Sequence, residues 1–266
     1  MKIRFLGYAS NSFSSVKTVS FLLYKDEEIM LVDCGPSITN NLHAVVENFS
    51  DITSVYISHS HFDHFLGLPY FIIGRHLDVI AKKKKNPDYT PSALDIYLPA
   101  SLIEITHNLI QICHKDIAKL SYDVNYYPIN EGACIDFAGT SICPFAVNHT
   151  VETYGFSVFY EGKKMLSYTS DTLYDSRILD KLSDSKYLIL EGMVPESENA
   201  FSAKSMHATF DQAKSVVQHV KPKEAFLVHL QPRYLSAQKQ IIEELNASTD
   251  ALLLFPDEDV DYVLCI

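Results

Sequence analysis

No apolar run in this 266-residue sequence approaches the ~18 residues of a membrane span. The opening stretch, "MKIRFLGYAS", lacks the apolar core and cleavage site of a secretory signal, and reads as a first strand beginning at the initiator Met. Cysteine is sparse. Cys34, Cys113, Cys134, Cys143 and Cys265 are scattered, odd in number, and contain no Cys-x-x-Cys pair. This spacing argues against a disulfide framework and suits small buried hydrophobes in a reducing cytoplasm. Positive charge is also short: the formal net charge is −11, whereas a chain devoted to nucleic acid usually presents a basic surface. The one strong basic run, Lys82 to Lys85, reads as a solvated loop or as a contact for a phosphate backbone or acidic partner. Linkers and low-complexity segments are absent apart from those lysines. What is present is 47% hydrophobic residues, enough for a sizeable core, with 21% charged residues well mixed along the chain.

Strand patterns alternate with helical ones. Residues 2–6, 19–24 and 28–33 are rich in β-branched and aromatic residues, with a charged turn between the second and third. A helix is predicted near 38–48, a strand at 52–58, and partly helical structure over 66–80 with Pro69 near its start. An apolar helical stripe runs through Leu102, Ile105, Leu109 and Ile112 within 101–120. Strands are predicted at 123–129, 133–137, 141–147, 154–160 and 164–169, then a helix at 174–182 and a strand at 186–191. "TFDQ", Thr209 to Gln212, is a capping-box signature ahead of an amphipathic helix. A strand at 224–229, a helix at 236–246 and strands near 251–255 and 260–265 complete the pattern. An internal echo links "FLLYKDEEIMLVD", ending in Asp33, with "FSVFYEGKKMLSYTSD", ending in Asp171. It suggests two β-rich halves facing each other with helices outside, a single domain of α/β/β/α layers over residues 1–266.

The chemistry concentrates in "ISHSHFDHFLGL", which places His59, His61, Asp63 and His64 within six residues. Such groups fill a core poorly unless a cation holds them. His59 and His61 are two apart after a strand, so an extended backbone points both imidazoles to one side. Imidazole and carboxylate ligands suit zinc, with Mn2+ or Fe2+ as alternatives. His149, Asp171 and His229 each follow an apolar strand, so one sheet edge would collect all three. The remaining histidines, His43, His76, His107, His114 and His219, lie in helical stretches and read as surface or satisfied residues.

The His-x-His-x-Asp-His motif followed by His149, Asp171 and His229 resembles the metallo-β-lactamase superfamily. "SYTSDT" (167–172), "LILEG" (188–192), "SMHATFDQA" (205–213) and "VHLQPRY" (228–234) resemble its ribonuclease Z and phosphodiesterase branch, in that branch's order. The resemblance implies a four-layer αββα sandwich with two mixed sheets flanked by helices. It implies two metal ions, most simply two Zn2+: His59, His61 and His149 around the first, Asp63, His64 and His229 around the second, and Asp171 bridging. Asp33 would orient the cluster's loop.

The implied reaction is hydrolysis of an ester by hydroxide formed at the metal pair, because zinc lowers the pKa of bound water to about 7. Asp63 would also take a proton from the attacking water. His207 resembles the branch's acid, and Glu191 the carboxylate that pairs with it. Arg233 would meet a substrate phosphate or form a structural salt bridge. Ribonuclease Z carries a tRNA-gripping arm between the motif His and the bridging Asp, but only 21 residues separate His149 from Asp171 here. The first loop, "FLGYASNSFSSVKTVSF", also departs from that branch's usual form. The leading expectation is therefore a zinc phosphodiesterase acting on a small phosphodiester or related ester. Nucleic acid is open but not favoured, no membrane partner is expected, and a homodimer is compatible with the sequence. Ribonuclease Z itself, a lactonase, arylsulfatase or β-lactamase, and a non-catalytic metal-binding or sensing protein are the alternatives.

Overall fold

Two seven-stranded mixed sheets are built on the same plan. The computed structural model describes residues 1–10, 17–114, 119–247, 249 and 251–265. In the first half the elements are β1 (Lys2–Gly7), β2 (Ser20–Lys25), β3 (Glu28–Val32), α1 (Ile38–His43), β4 (Ser54–Tyr56), α2 (Phe62–Phe65), α3 (Leu68–Lys85), β5 (Leu94–Leu98), α4 (Ala100–Cys113) and β6 (Val124–Pro128). The second half holds β7 (Ile135–Phe137), β8 (Thr140–Ala146), β9 (Tyr154–Tyr160), β10 (Lys163–Tyr168), α5 (Ser176–Leu182), β11 (Tyr187–Glu191), α6 (Asn199–Ser205), α7 (Phe210–Val220), β12 (Glu224–Val228), α8 (Gln238–Asn246), β13 (Leu252–Leu254) and β14 (Asp261–Val263).

The first sheet runs β14-β1-β2-β3-β4-β5-β6 and the second β13-β12-β11-β10-β9-β8-β7. In each, an antiparallel hairpin hands over to parallel strands: β2–β3 then β4, β9–β10 then β11. This is the physical basis of the sequence echo. Strands buried on both faces read as continuous apolar runs, and "YLILE" of β11 is buried throughout.

Three cores separate four layers. Between the sheets, Phe5, Phe21, Tyr56, Phe156, Tyr168 and Phe226 interlock, with Phe5 and Phe226 ring centroids 5.2 Å apart. A second core lies between the first sheet and α1–α4, and a third between the second sheet and α5, α7 and α8. Burying a side chain such as Leu190 or Val217 contributes about 1.5–3 kcal/mol. The helix α7 starts as its capping box requires. Thr209 Oγ1 accepts from Gln212 N–H while Gln212 Oε1 accepts from Thr209 N–H.

Several expectations are corrected. The strand β5, "LDIYL", had no counterpart in the pattern reading, because its Asp and flanking Pro residues masked the alternation. The helix predicted at 38–48 is shorter, and that at 101–120 is described only to Cys113, with 115–118 outside the described residues. Lys82–Lys85 form the last turn of α3, where cations suit the helix C-terminus. Lys82 there bonds Ser50 and Asp51. Cys134 and Cys143 form a disulfide across β7–β8, contrary to the reading of unpaired thiols. Cys34 is buried as expected, but Cys113 and Cys265 are exposed. No helix among the described residues is long and apolar enough to cross a membrane.

Candidate metal centre

The parallel strands of both sheets end on one edge of the sandwich, and their C-terminal ends carry the polar residues. Asp33 follows β3, the His59–His64 segment follows β4, Asp171 follows β10, Glu191 ends β11 and His229 follows β12. The chain must turn sharply there. Asp33, Ser170 and His229 hold positive φ angles of 58°, 54° and 66°. Non-glycine residues in that region are uncommon, and they concentrate where surrounding structure over-determines them.

His59 and His61 leave β4 in an extended segment and share one side, with ring centroids 4.7 Å apart. His61 then caps α2, whose single turn carries Asp63 and His64. This turn sits tightly on the loop after β3. A methyl group at Gly35 would lie 2.3 Å from the Asp63 carbonyl oxygen, and Cys34 N–H donates to the His64 carbonyl at 2.7 Å.

Asp171 Oδ2 is the centre of the site. It lies 3.5 Å from His59 Nε2, 3.9 Å from His149 Nε2, 3.4 Å from His64 Nε2 and 3.2 Å from His229 Nε2. His61 Nδ1 lies 3.1 Å from His149 Nε2, and Asp63 Oδ2 3.5 Å from His229 Nε2. The donor atoms of His59, His61, His149 and Asp171 fall within 4.8 Å of one another, as do those of Asp63, His64 and His229. All seven sequence-predicted ligands are thus brought together.

The hydrogen bonds around the imidazoles fit a metal. His149 Nδ1 donates to the Met206 carbonyl at 3.0 Å, which leaves Nε2 with its lone pair. His64 Nδ1 donates to Asp33 at 2.9 Å, and His229 Nδ1 lies 3.1 Å from Glu191 Oε1. The Nε2 atoms of His59, His64 and His229 are buried and have no hydrogen bond among the described residues. A buried nitrogen left in this way, with the opposite ring nitrogen hydrogen-bonded as in His59 and His64, is what a ligating histidine presents, whereas His229 Nδ1, like its Nε2, has no hydrogen bond among the described residues.

The charges are arranged to receive cations. Burial disfavours the charged form of His229, but Asp171, Asp63 and Glu191 outweigh it and raise its pKa to about 10. Burial likewise opposes charge on His64, and Asp171 and Asp33 reverse that. Burial would raise the pKa of Asp171, yet His229 and His64 hold it well below the usual carboxylate range. Burial lowers the pKa of His59, His61 and His149. The surrounding carboxylates therefore favour positive charge at His64 and His229, and a bound metal would supply that charge in place of protons.

Glu191 and His207 also meet. Glu191 is fully buried, and its Oε1 accepts from His207 Nδ1 at 2.5 Å while its Oε2 accepts from Thr172 N–H at 2.5 Å. The His207 ring stacks on His229 with centroids 4.9 Å apart. Both border a cleft of about 260 Å3 that also meets Asp63, Asp171, Phe62 and Phe201. A larger cavity of about 630 Å3 between α8 and residues 254–259 contains no histidine. Arg233 pairs with Glu198. Pattern reading missed Ser58 and Tyr168, both bonded to Asp33. Only their place beside the motif residues hinted at them.

The family of the anti-Pycsar protein Apyc1 matches residues 1–246. The chain belongs to that family. It is similar to ribonuclease Z of Acaryochloris marina (strain MBIC 11017), at 22% identity over 98% of this chain and 95% of that protein. That alignment spans 315 positions against a chain of 266 residues, so the relative has inserted residues that this chain lacks. Among solved structures, the metallo-β-lactamase fold protein YhfI from Bacillus subtilis superposes with a TM-score of 0.80 at 16% identity, covering 98% of both chains. Human tRNase Z, short form, gives 0.77 at 18% identity over the whole of both chains. A diphosphatase of the PhnP family gives 0.70 at 17% identity, covering 100% of this chain and 99% of that one. These structural likenesses establish the fold. Sequence and fold together make this Apyc1-family member a metal-dependent hydrolase of the metallo-β-lactamase superfamily, in its ribonuclease Z and phosphodiesterase branch.

Proposed function

We propose that the protein is a dinuclear zinc phosphodiesterase acting on small phosphodiesters. The observation that carries this reading is Asp171 Oδ2. One carboxylate oxygen faces ring nitrogens from both ligand sets at 3.2–3.9 Å, the arrangement a bridging ligand needs. His59, His61 and His149 would hold one ion, and Asp63, His64 and His229 the other. When bound, zinc supplies charge for the phosphoryl oxygens and a hydroxide at neutral pH.

The chain's own groups do the remaining work. Asp63 is held well below the ordinary carboxylate range by His229 and His64 against the opposing effect of burial. It is an ionised ligand first, and a proton acceptor for the attacking water only in passing. Glu191 orients His207 through Nδ1, so a protonated His207 can deliver its Nε2 proton to the leaving alkoxide. Phe62 and Phe201 give the cleft apolar walls.

The small-substrate reading is supported by the His149–Asp171 interval. A short loop, β9, a turn and β10 use those residues, which leaves no inserted arm. The second reading, an RNA endonuclease, is favoured by the curated relatives, whose names are ribonuclease Z. Metal analysis of chelator-free protein should find close to two zinc ions per chain. Turnover is then compared on bis(p-nitrophenyl) phosphate, a nucleotide diester, a phosphomonoester, a lactone and a precursor tRNA. Efficient cleavage of the tRNA with the small diesters untouched would replace the first reading by the second.

A further inference from the structure

Asp33 is no ligand, yet groups from both sheets converge on it. It is fully buried. Its Oδ1 accepts from Ser58 N–H at 2.8 Å. Its Oδ2 accepts from Ser58 Oγ at 3.0 Å, from His64 Nδ1 at 2.9 Å and from Tyr168 Oη at 2.7 Å. Ser58 Oγ also lies 2.9 Å from His59 Nδ1. An ionised carboxylate only accepts, so the one hydroxyl hydrogen of Ser58 goes to Asp33. Ser58 Oγ then accepts from His59 Nδ1–H. His59 and His64 therefore keep a proton on Nδ1, which leaves Nε2, on the side of Asp171, as the atom that would meet a metal.

The two imidazoles belong to different half-sites. We propose that Ser58 and Tyr168 are positioning residues for the metal pair. Ser58 relays the Asp33 carboxylate to a ligand of the first ion. Tyr168, carried on the opposite sheet, fixes the carboxylate that serves both ions. This inference rests on the two-ion reading above. Tyr168 is suited to the task because its ring has little freedom. It is fully buried, and its centroid is 5.1 Å from Phe21 and 5.5 Å from Phe156. It also ends β10, the strand that delivers Asp171, so one strand end supplies both the bridge and the lock.

The geometry makes the consequences unequal. Ser58→Ala removes the relay to His59 but leaves the His64–Asp33 bond, so only the first ion should weaken. Loss of an outer hydrogen-bond partner typically costs about 10–100-fold in metal affinity. Tyr168→Phe releases the shared carboxylate and should weaken both ions. Ser58→Thr keeps the hydroxyl and should restore the first.

Zinc affinity is measured by titrating metal-free protein in competition with a chromophoric chelator. His229→Ala protein isolates the first half-site, and His149→Ala protein isolates the second. Ser58→Ala should lower affinity in the His229→Ala background alone. In otherwise intact protein the same asymmetry should appear as one weakened and one unchanged step of zinc removal. Unchanged affinity in the His229→Ala background, or an equal loss in both backgrounds, would overturn the relay. A lowered melting temperature of metal-free Tyr168→Phe with wild-type zinc affinity would show that Tyr168 only supports the fold, and would overturn its assignment. Failure of the wild-type protein to take up two ions would instead remove the metal-centre reading itself.

Discussion

Replacing His207 by alanine tests the division of labour between metal ligands and proton donor. His207 Nδ1 is committed to Glu191 at 2.5 Å and lies 4.0 Å from Asp171 Oδ2, farther than the four ligand nitrogens that surround that oxygen. Its removal should therefore leave close to two zinc ions bound. The loss should fall on turnover. General acid catalysis contributes typically 10²–10⁴-fold, about 3–6 kcal/mol of barrier at ~1.4 kcal/mol per decade. That contribution depends on the leaving group. An alkoxide needs the proton, whereas p-nitrophenolate leaves readily without it. With an alkyl or nucleoside diester, kcat of His207→Ala should fall by the full factor. With bis(p-nitrophenyl) phosphate it should fall by about ten or less, since the acid has little to contribute there. The assay is steady-state kinetics on both substrate types, with zinc content measured on the same samples. A collapse of metal content, or an equal loss with both leaving groups, would refute the assignment. Some loss of stability is expected, because Glu191 Oε1 loses its shorter partner inside the protein. A buried acceptor left short of a partner costs about 1–3 kcal/mol, so melting temperature is recorded as a separate readout.

Gly35→Ala should disturb the second half-site although it lies outside it. The new methyl would meet Thr18 Oγ1 at 2.1 Å and the Asp63 carbonyl oxygen at 2.3 Å, so α2 must shift, and zinc titration should show the loss. In metal-free protein, raised His229 contributes stability that is complete below its unfolded pKa of about 6.5 and lost as pH rises through about 10. Thermal melting should therefore decline over that window without metal and decline much less once zinc replaces the proton. Arg233→Ala removes an exposed ion pair with Glu198 and should leave KM for small phosphodiesters within about twofold, stability changing by ~1 kcal/mol or less. A large rise in KM would give Arg233 a place at the substrate.

Much of the site was legible because strand geometry converts sequence position into spatial position. His59 and His61 share a side because they are two apart in extended chain. His149, Asp171 and His229 meet them because strands that run together end together. The hairpin echo ending in Asp33 and Asp171 foretold the matched halves of the two sheets. Less was legible where local pattern and tertiary context disagree. β5 carries an Asp and hides among prolines, and its place between β4 and β6 is decided by pairing. Cys134 and Cys143 are nine apart with no motif spacing, and only the β7–β8 register sets them opposite each other.

The sequence alone determined the superfamily, the seven candidate ligands and the sheet edge that collects them. The ligands and the sheet edge follow from residue type and short-range periodicity, and the superfamily from the resemblance of the motifs that carry them. The tertiary structure alone decided that Asp171 faces both ligand sets, that Glu191 reaches His207 and His229 together, and that Tyr168 crosses the sandwich to Asp33. Those contacts join residues from different strands and sheets. Their distances depend on how two twisted sheets pack, a property that no local stretch of sequence carries.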